Sequence, residues 1–210
     1  MRYEEKIFKL KGETLVIIDW ANVYGWFSKL KWEIDPKKLY NYLKKYSQIK
    51  EIKFYFGLDN NRQSKNFNYQ IKKIGYKVVS KSVKWVPVSL DRSHFKEFLQ
   101  ELHRICDGLE QSNSEIAKQL KVAMELPIYR RKCDFDCEIA IDIMKNIDSI
   151  DGIILFSGDG DYAIVADELI KRGKQVIVVF APGCKGKEYE DFKRGLFLCS
   201  VNQLKTEIKK

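Results

Sequence analysis

Short hydrophobic runs alternate with amphipathic stretches along most of the chain. Three runs, "LVII", "IILF" and "QVIVVF", are almost continuously apolar, which is typical of strands buried on both faces. Two mixed runs, "IKFYFG" and "YKVVSKSV", predict two further strands. Because helical periodicity fills the intervals between these runs, we expect a mostly parallel sheet covered by helices on both faces.

The helical stretches carry their own boundary signals. In "DPKKLYNYLKKYSQI" we expect Asp35 to be the N-cap and Pro36 the first helical residue. The stretch "QSKNFNYQIKKIG" is expected to end at Gly75. In "DCEIAIDIMKNI" one face is an apolar stripe, and "YAIVADELIKRG" is the next helix. The stripe consists of Ile139, Ile143 and Ile147.

The alternation breaks between residues of about 85 and 130. This segment holds a proline, both histidines and a long helical pattern, so it predicts an insertion of one or two helices. The tail, "GLFLCSVNQLKTEIKK", predicts a short strand and a frayed helix. The expected organisation is a single α/β domain over residues 1–210, with a helical insertion at about 85–130.

Composition narrows the setting. The chain lacks an apolar run of about 18 residues and a signal-like N-terminus, so no membrane span or secretion is expected. Its five cysteines do not form spaced pairs, which also favours the cytoplasm. Cys133 and Cys137 lack a second pair of ligands, so a structural zinc site is not favoured. The net charge of +9 attracts polyanions.

Acidic and short polar side chains gather at three element ends. Each group has an ordinary explanation, because a carboxylate can cap a helix or stabilise a turn. The fold rule, however, brings the ends of the first and fourth strands to one edge of the sheet. The groups are Asp19 and Asn22 after the first strand, Asp134 and Asp136 before a helix, and Ser157, Asp159 and Asp161 after the fourth strand.

Several carboxylates at one edge would repel one another unless a cation lay among them. Carboxylate oxygens favour Mg²⁺ or Mn²⁺ over zinc. Such ions activate water and stabilise phosphate oxygens. A basic surface around an acidic, metal-charged pocket suits a nucleic-acid phosphodiester as substrate. In this arrangement Asn22 and Ser157 would orient a carboxylate, a water or a phosphate.

Three segments, "VIIDWANVYGWF", "KCDFDCEIAIDIM" and "ILFSGDGDYAIVADELIKRGKQVIVV", resemble the three motifs of the NYN domain in its LabA-like branch. The resemblance covers about residues 13–182 in order, apart from the insertion. It implies membership of the PIN-like nuclease superfamily and a three-layer α/β/α sandwich with a mostly parallel, Rossmann-like sheet. It also implies a metal-dependent endoribonuclease that hydrolyses RNA with Mg²⁺ or Mn²⁺.

The motif positions also imply roles for single residues. Asp142 matches an acidic position within the middle helix, but it lies six residues beyond Asp136 and so off its face. Asp134 stands where the family has a small residue, and its role as ligand, cap or alternative register stays open. The catalytic set is Asp19, Asn22, Asp136, Ser157, Asp159 and Asp161, with Asp19, Asp136, Asp159 and Asp161 as metal ligands and Asp134 and Asp142 as outer residues.

Basic loops and aromatic residues complete the predicted RNA site. The candidate phosphate contacts are Arg62, Lys65, Lys81, Lys84, Arg130, Arg131, Lys132 and Lys185. Tyr24, Trp26 and Trp85 are candidates for stacking on bases, with packing as the alternative for each. The partner is expected to be single-stranded or structured RNA, and a homodimer is left open.

Two other enzyme classes fit the same residues less well. The "GDGDYAIVAD" stretch also suggests a haloacid-dehalogenase-like phosphatase, but Ala21 stands where its general acid belongs. A phosphate-binding loop of the "GxxxxGK[ST]" type is absent after the first strand. The alternative from another class is a catalytically silent module that binds RNA or a protein. RNA versus DNA, sequence specificity and endo- versus exonuclease action stay undecided by sequence.

Overall fold

The computed structural model describes residues 6–88, 93–110, 112–126 and 128–210. These residues divide into two compact units. One runs as far as Ser82 and resumes over Cys133–Lys210, and the other is Val83–Lys132. Residues 89–92, 111 and 127 of the predicted insertion, and residues 1–5, lie outside the described residues.

Strands and helices alternate along the larger unit. Its strands are β1 (Thr14–Asp19), β2 (Ile49–Leu58), β3 (Lys77–Ser82), β6 (Gly152–Phe156), β7 (Gln175–Phe180) and β8 (Leu196–Ser200); β4 (Lys84–Pro87) and β5 (Tyr129–Lys132) belong to the smaller unit. The helices are α1 (Trp20–Gly25), α2 (Phe27–Leu30), α3 (Pro36–Leu43), α4 (Arg62–Ile74), α5 (Ser93–Glu110), α6 (Ser114–Glu125), α7 (Asp136–Asn146), α8 (Ala163–Lys171) and α9 (Lys205–Ile208).

The strands of the larger unit form one sheet in the order β3-β2-β1-β6-β7-β8. Every neighbouring pair in that sheet is parallel. The order reverses between β1 and β6, so this is the switch point of a doubly wound sheet. The predicted three-layer α/β/α fold with a mostly parallel sheet is confirmed.

Two hydrophobic layers cover the sheet. Along β1, Val16 and Ile18 pack on one side with the core of α3 and α9, while Leu15 and Ile17 pack on the other with the cores of α7 and α8. Each of these four side chains is buried. The continuously apolar sequence of β1 follows from this position, because a strand between two helical layers has no face toward water.

Local signals place the helices as the sequence predicts. The Asp35 carboxylate accepts hydrogen bonds from the backbone N–H groups of Lys37 and Lys38, and Pro36 is the first residue of α3. Gly75 ends α4 in the left-handed conformation, with a φ of 118°. The isoleucine stripe of α7 is buried. These predictions are confirmed, although α3 ends at Leu43, well before the end of the predicted stretch.

Other elements were missing from the prediction. Residues directly after β1 form α1 and α2, which are too short to show a period in the sequence.

The predicted short strand in the tail is β8, and it pairs in parallel with β7 at the edge of the sheet.

The smaller unit contains more than the predicted helices. Besides helices α5 and α6, the smaller unit contains β4 and β5. These strands pair antiparallel, with Lys84 opposite Lys132 and Trp85 opposite Arg131. These strands escape sequence analysis because they are four residues long and rich in charge. Throughout the described ranges, no helix has the length and apolar content to cross a membrane.

Candidate metal centre

Asp19 is the most buried carboxylate of the predicted set. It ends β1 at the switch point of the sheet and is only 8% exposed. Its side chain also caps α1 by accepting a hydrogen bond from the Asn22 backbone at 3.3 Å. Burial, reinforced by the negative charges of Asp136 and Asp159, raises the pKa of Asp19 to about 6. The three carboxylates therefore share one electrostatic environment.

Ser157 links the ends of the two strands at the switch point. It follows β6, is fully buried, and its hydroxyl lies 3.5 Å from Oδ2 of Asp19. The same hydroxyl accepts a hydrogen bond from the Asp159 backbone at 3.3 Å. The serine thus orients the Asp19 carboxylate from one side and the backbone of the following loop from the other.

Asn22 has a positioning role in the structure. Its side-chain oxygen accepts one hydrogen bond from Trp26 Nε1 at 2.8 Å and another from the Gly158 backbone at 3.1 Å. A carbonyl oxygen has two lone pairs, so these bonds use its accepting capacity. Asn22 therefore joins α1 to the loop after β6.

Asp159 serves a local role as well as an electrostatic one. It is the N-cap of the short 3₁₀ helix Gly160–Tyr162 and accepts a hydrogen bond from the Asp161 backbone at 3.1 Å. The capping explanation is therefore correct for Asp159, and it is compatible with a charge that acts on Asp19. Asp161 lies in the same 3₁₀ turn and is exposed.

Asp136 completes the acidic cluster from the opposite layer of helices. It lies in the first turn of α7, whose N-cap is Phe135 and has no side-chain cap bond. Burial and the charges of Asp159, Asp134 and Asp161 raise its pKa, although a hydrogen bond from Tyr162 opposes the change. Helix capping is therefore not what places Asp136 here.

Two tyrosines that sequence analysis missed brace the cluster. The buried Tyr162 donates its hydroxyl to Oδ1 of Asp136 at 2.9 Å. Burial and the carboxylates of Asp19 and Asp136 keep the pKa of Tyr162 well above its ordinary value, so it stays a donor. The buried Tyr189 donates to the backbone oxygen of Asp159 at 2.6 Å. The only sequence signal for Tyr162 is its place directly after "SGDGD".

Close backbone approach explains the glycines of "SGDGD". The Gly186 N–H donates to the Gly158 oxygen at 2.7 Å, and a side chain at Gly158 would collide with the Cys184 carbonyl. A side chain at Gly160 would collide with the Glu188 carboxylate. The loop after β7 therefore packs directly on the acidic loop and brings Glu188, which sequence analysis did not select, beside it.

Asp142 belongs to a different cluster. Its carboxylate accepts a hydrogen bond from the Tyr55 hydroxyl and lies 3.1 Å from the ammonium of Lys53. Both partners are on β2, so Asp142 anchors α7 to the sheet. This placement agrees with the expectation that Asp142 does not share the face of Asp136.

The predicted basic contacts are divided between the two units. Lys81 pairs with Glu138 and lies over the Phe135 ring, and Lys185 pairs with Glu190 at 3.0 Å. Arg62 and Lys65 are exposed in the first turn of α4. The remaining four are exposed on the β4–β5 pair of the smaller unit, and they are Lys84, Arg130, Arg131 and Lys132.

The stacking prediction is wrong for one of its three aromatic residues. Trp26 is 1% exposed, because its ring is packed in the core and its N–H is bonded to Asn22. It therefore cannot stack on a base. Tyr24 and Trp85 are 74% and 57% exposed.

The donor chemistry fits a hard divalent cation. Asp19, Asp136 and Asp159 supply carboxylate oxygens, and a positive charge would relieve their mutual repulsion in a partly buried site. In the described part of the chain, no three His, Cys, Asp or Glu side chains stand together as a ready ligand set. The described side chains thus form a repulsive acidic cluster at the switch point.

Comparisons with known proteins agree with this architecture. The model of the NYN domain family matches residues 13–194. Low amplitude and bright protein LabA from Synechococcus elongatus is 25% identical over 175 residues, which cover 82% of this chain and 76% of that protein. A crystal structure of a protein of unknown function from Vibrio parahaemolyticus has the same fold, with a TM-score of 0.62, 15% identity, and coverage of 97% of this chain and 99% of the other. The chain is a LabA-like member of the NYN domain family.

Proposed function

We propose that this protein is a ribonuclease that hydrolyses RNA phosphodiester bonds with Mg²⁺ or Mn²⁺. The observation that carries the proposal is the buried Asp19, whose pKa is raised to about 6 beside Asp136 and Asp159 at the switch point of the sheet. Burying carboxylates that repel one another costs stability, and such clusters are found preferentially at functional sites. The family supports the same class of chemistry.

In this proposal each residue has a defined task. Asp19, Asp136 and Asp159 would hold the cation, with Asp161 as a further acidic group at the edge. Ser157 and Tyr162 fix the orientations of Asp19 and Asp136 through their hydroxyls. Asn22 and Tyr189 hold the loop that carries Asp159. When bound, the cation would supply positive charge for phosphate oxygens and lower the pKa of water.

The proposed reaction is a hydrolysis. The oxygen of a water molecule forms a bond to phosphorus while the bond from phosphorus to one ester oxygen breaks. One proton of the water ends on the leaving oxygen, so the products are a phosphate monoester and a free hydroxyl. Preorganised carboxylates contribute by fixing charge before the reaction begins.

A second candidate function is an RNA-binding module that does not cleave. One observation favours it, since the described side chains do not form a ready set of three metal ligands. A fold can keep its acidic pocket without the activity. The two candidates differ in what they do with bound RNA.

We expect the purified protein to degrade single-stranded RNA when Mn²⁺ or Mg²⁺ is supplied and to stop when a chelator is added. Product lengths on a denaturing gel measure the activity and separate internal cleavage from removal of end nucleotides. A matched single-stranded DNA tests the sugar preference. Retention of RNA in a binding assay without any cleavage, over a range of both metals, would instead establish the binding module.

RNA affinity should fall steeply with salt. Lys84 and Lys132 face each other across the β4–β5 ladder, with Arg131 opposite Trp85. This β4–β5 ribbon presents four exposed cationic side chains, so it attracts a polyanion. Four phosphate contacts on single-stranded RNA predict about 50-fold weaker binding at 200 mM than at 50 mM salt.

The salt experiment is best done in chelator, so that cleavage does not remove the RNA. Replacing Lys84 and Arg130 together with alanine should lower the salt slope by about 1.4. A double replacement of Lys37 and Lys44, exposed on and after α3, is the matched control. Affinity that does not change with salt would exclude the basic ribbon as an RNA contact.

A further inference from the structure

The larger unit contains an aromatic pocket that the proposed cleavage site does not use. Its volume is about 570 Å³, within the range of small-molecule sites. Its walls come from α1, α2, the segment that leads into α3, and Phe67 of α4. Trp20 and Phe67 form a stacked pair in one wall, with ring centroids 5.7 Å apart. Trp32 lines the pocket as well.

Two aromatic side chains that line this pocket are exposed to solvent. Tyr24 is 74% exposed and Phe27 is 51% exposed, whereas Trp20 and Trp32 are 8% and 5% exposed. An exposed aromatic ring next to a cavity of this size gains from a ligand that covers it. Five aromatic side chains line the pocket, and they favour an aromatic ligand.

Helix α1 lies in the wall of the pocket and follows directly on the strand that ends at Asp19. Asp19 ends β1 and contributes to the cluster, and Trp20, the next residue, lines the pocket. Within α1, Asn22 binds the loop after β6, while Val23 and Tyr24 line the pocket. The residues that serve the pocket and the residue that holds the acidic loop therefore lie on the same short helix.

Acidic side chains outnumber basic ones at the pocket. Glu33 and Asp35 contribute two carboxylates, against one ammonium from Lys210, which pairs with Glu33 at 2.6 Å. A phosphate is disfavoured next to this acidic surplus. Asp35 accepts two backbone N–H groups, which leaves lone pairs on its carboxylate for a further donor. Amino and imino groups of nucleobases are such donors.

We propose that this pocket binds a nucleobase of the RNA strand, stacked against Phe27 and Tyr24, while the phosphates stay outside. The proposal rests on the proposed function and deepens it, because a base held by residues of α1 and α2, the helices that follow Asp19 in the chain, would position the strand for cleavage. Stacking on an aromatic side chain typically strengthens binding by roughly fivefold to 100-fold per base. The pocket would therefore contribute to substrate binding more than to the chemical step.

The test uses the full chain in chelator, with adenosine, cytidine, guanosine and uridine as separate neutral probes. Tryptophan fluorescence follows each titration, because Trp20 and Trp32 line the pocket. We expect saturable binding of at least one nucleoside and roughly tenfold weaker binding in Phe27→Ala. Tyr24→Ser is the second variant. Tyr69→Ala is the matched control, since Tyr69 is 61% exposed on α4 and does not line the pocket.

The outcomes separate this inference from the proposed function. Nucleoside binding that Phe27→Ala weakens and Tyr69→Ala preserves supports the pocket, whether or not the protein cleaves RNA. Failure of all four nucleosides to bind at millimolar concentration overturns it, even if the protein is an active ribonuclease. Binding of toluene without any nucleoside also overturns it and indicates an apolar partner. In an active protein, Phe27→Ala should raise KM for RNA and leave kcat nearly unchanged.

Discussion

Replacing Asp19 with asparagine is expected to lower RNA cleavage by at least about 100-fold, because residues that merely support metal ligands already contribute about 10–100-fold. Asparagine keeps the size of the side chain and can still accept the backbone bond from Asn22. What it removes is the negative charge at the switch point. Cleavage rates with Mn²⁺ at saturating RNA measure the effect. Asp148→Asn, which alters an exposed carboxylate outside the cluster, is the control.

The same substitution should stabilise the metal-free protein. A carboxyl group whose pKa is raised from 3.8 to about 6 by folding opposes folding when it is ionised. The favourable contribution of the protonated carboxyl group to stability is complete below a pH of about 4, and it is lost as the pH rises through about 6. At neutral pH the ionised group lowers the free energy of unfolding by on the order of 3 kcal/mol.

Urea unfolding in chelator at pH 5 and pH 7.5 measures this dependence. Wild type should lose stability between the two values, and Asp19→Asn should lose less, with part of the dependence retained because the pKa of Asp136 is also raised. Full cleavage activity in Asp19→Asn would refute the proposed site. Reduced activity with unchanged stability would show that the ionised Asp19 does not destabilise the metal-free fold.

Replacing Lys53 with methionine is expected to destabilise the fold by about 2–3 kcal/mol. The Lys53 side chain is only 6% exposed, and its ammonium lies 3.1 Å from the Asp142 carboxylate. Removing one partner leaves the other charge partly buried without its counter-ion. The loss should be below the full effect of a buried pair, because the Asp142 side chain is 26% exposed and keeps the bond from Tyr55.

A double-mutant cycle isolates the interaction. Lys53→Met with Asp142→Asn should recover part of the stability, because no charge then remains without a partner and the amide oxygen still accepts the Tyr55 bond. Lys77→Met is the matched control, since the Lys77 side chain is 60% exposed and pairs with Glu51 at 2.7 Å, so the change should be below about 1 kcal/mol. Equal losses in Lys53→Met and Lys77→Met would contradict the assigned role of the buried pair.

The buried pair also matters for the acidic cluster. Asp142 and Asp136 lie on the same helix, α7, and Lys53 holds that helix to β2. Loosening α7 would change the distance of Asp136 from Asp19. Cleavage by Lys53→Met at a temperature where the variant is fully folded therefore reports on positioning separately from stability.

Most of the larger unit could be predicted from the sequence because its signals are local. Asp35 with Pro36 begins α3, and Gly75 ends α4, through hydrogen bonds and backbone angles that involve a few neighbouring residues. The apolar runs of β1 and β6 indicate burial on both faces without any knowledge of the neighbours. Helix α1 and strand β4 could not be predicted, because they are too short for a periodic signal.

The acidic cluster could be predicted only in part. The fold rule brings Asp19 and Asp159 to one edge of the sheet, and their charges do affect each other. The supporting hydroxyl of Tyr189 is 30 residues from the Asp159 backbone that it binds. No pattern in one sequence connects such residues, because loop packing after β7 brings them together.

The amino-acid sequence by itself determined the α/β alternation, the helix caps and the family motifs, because hydrophobic period and turn chemistry act over a few residues. Only the tertiary structure decided that Asn22 positions a loop, that Trp26 is core, and that Asp142 pairs with Lys53. It also decided where the aromatic pocket beside α1 forms. These features depend on which surfaces meet when the layers pack, and packing joins residues far apart in the chain.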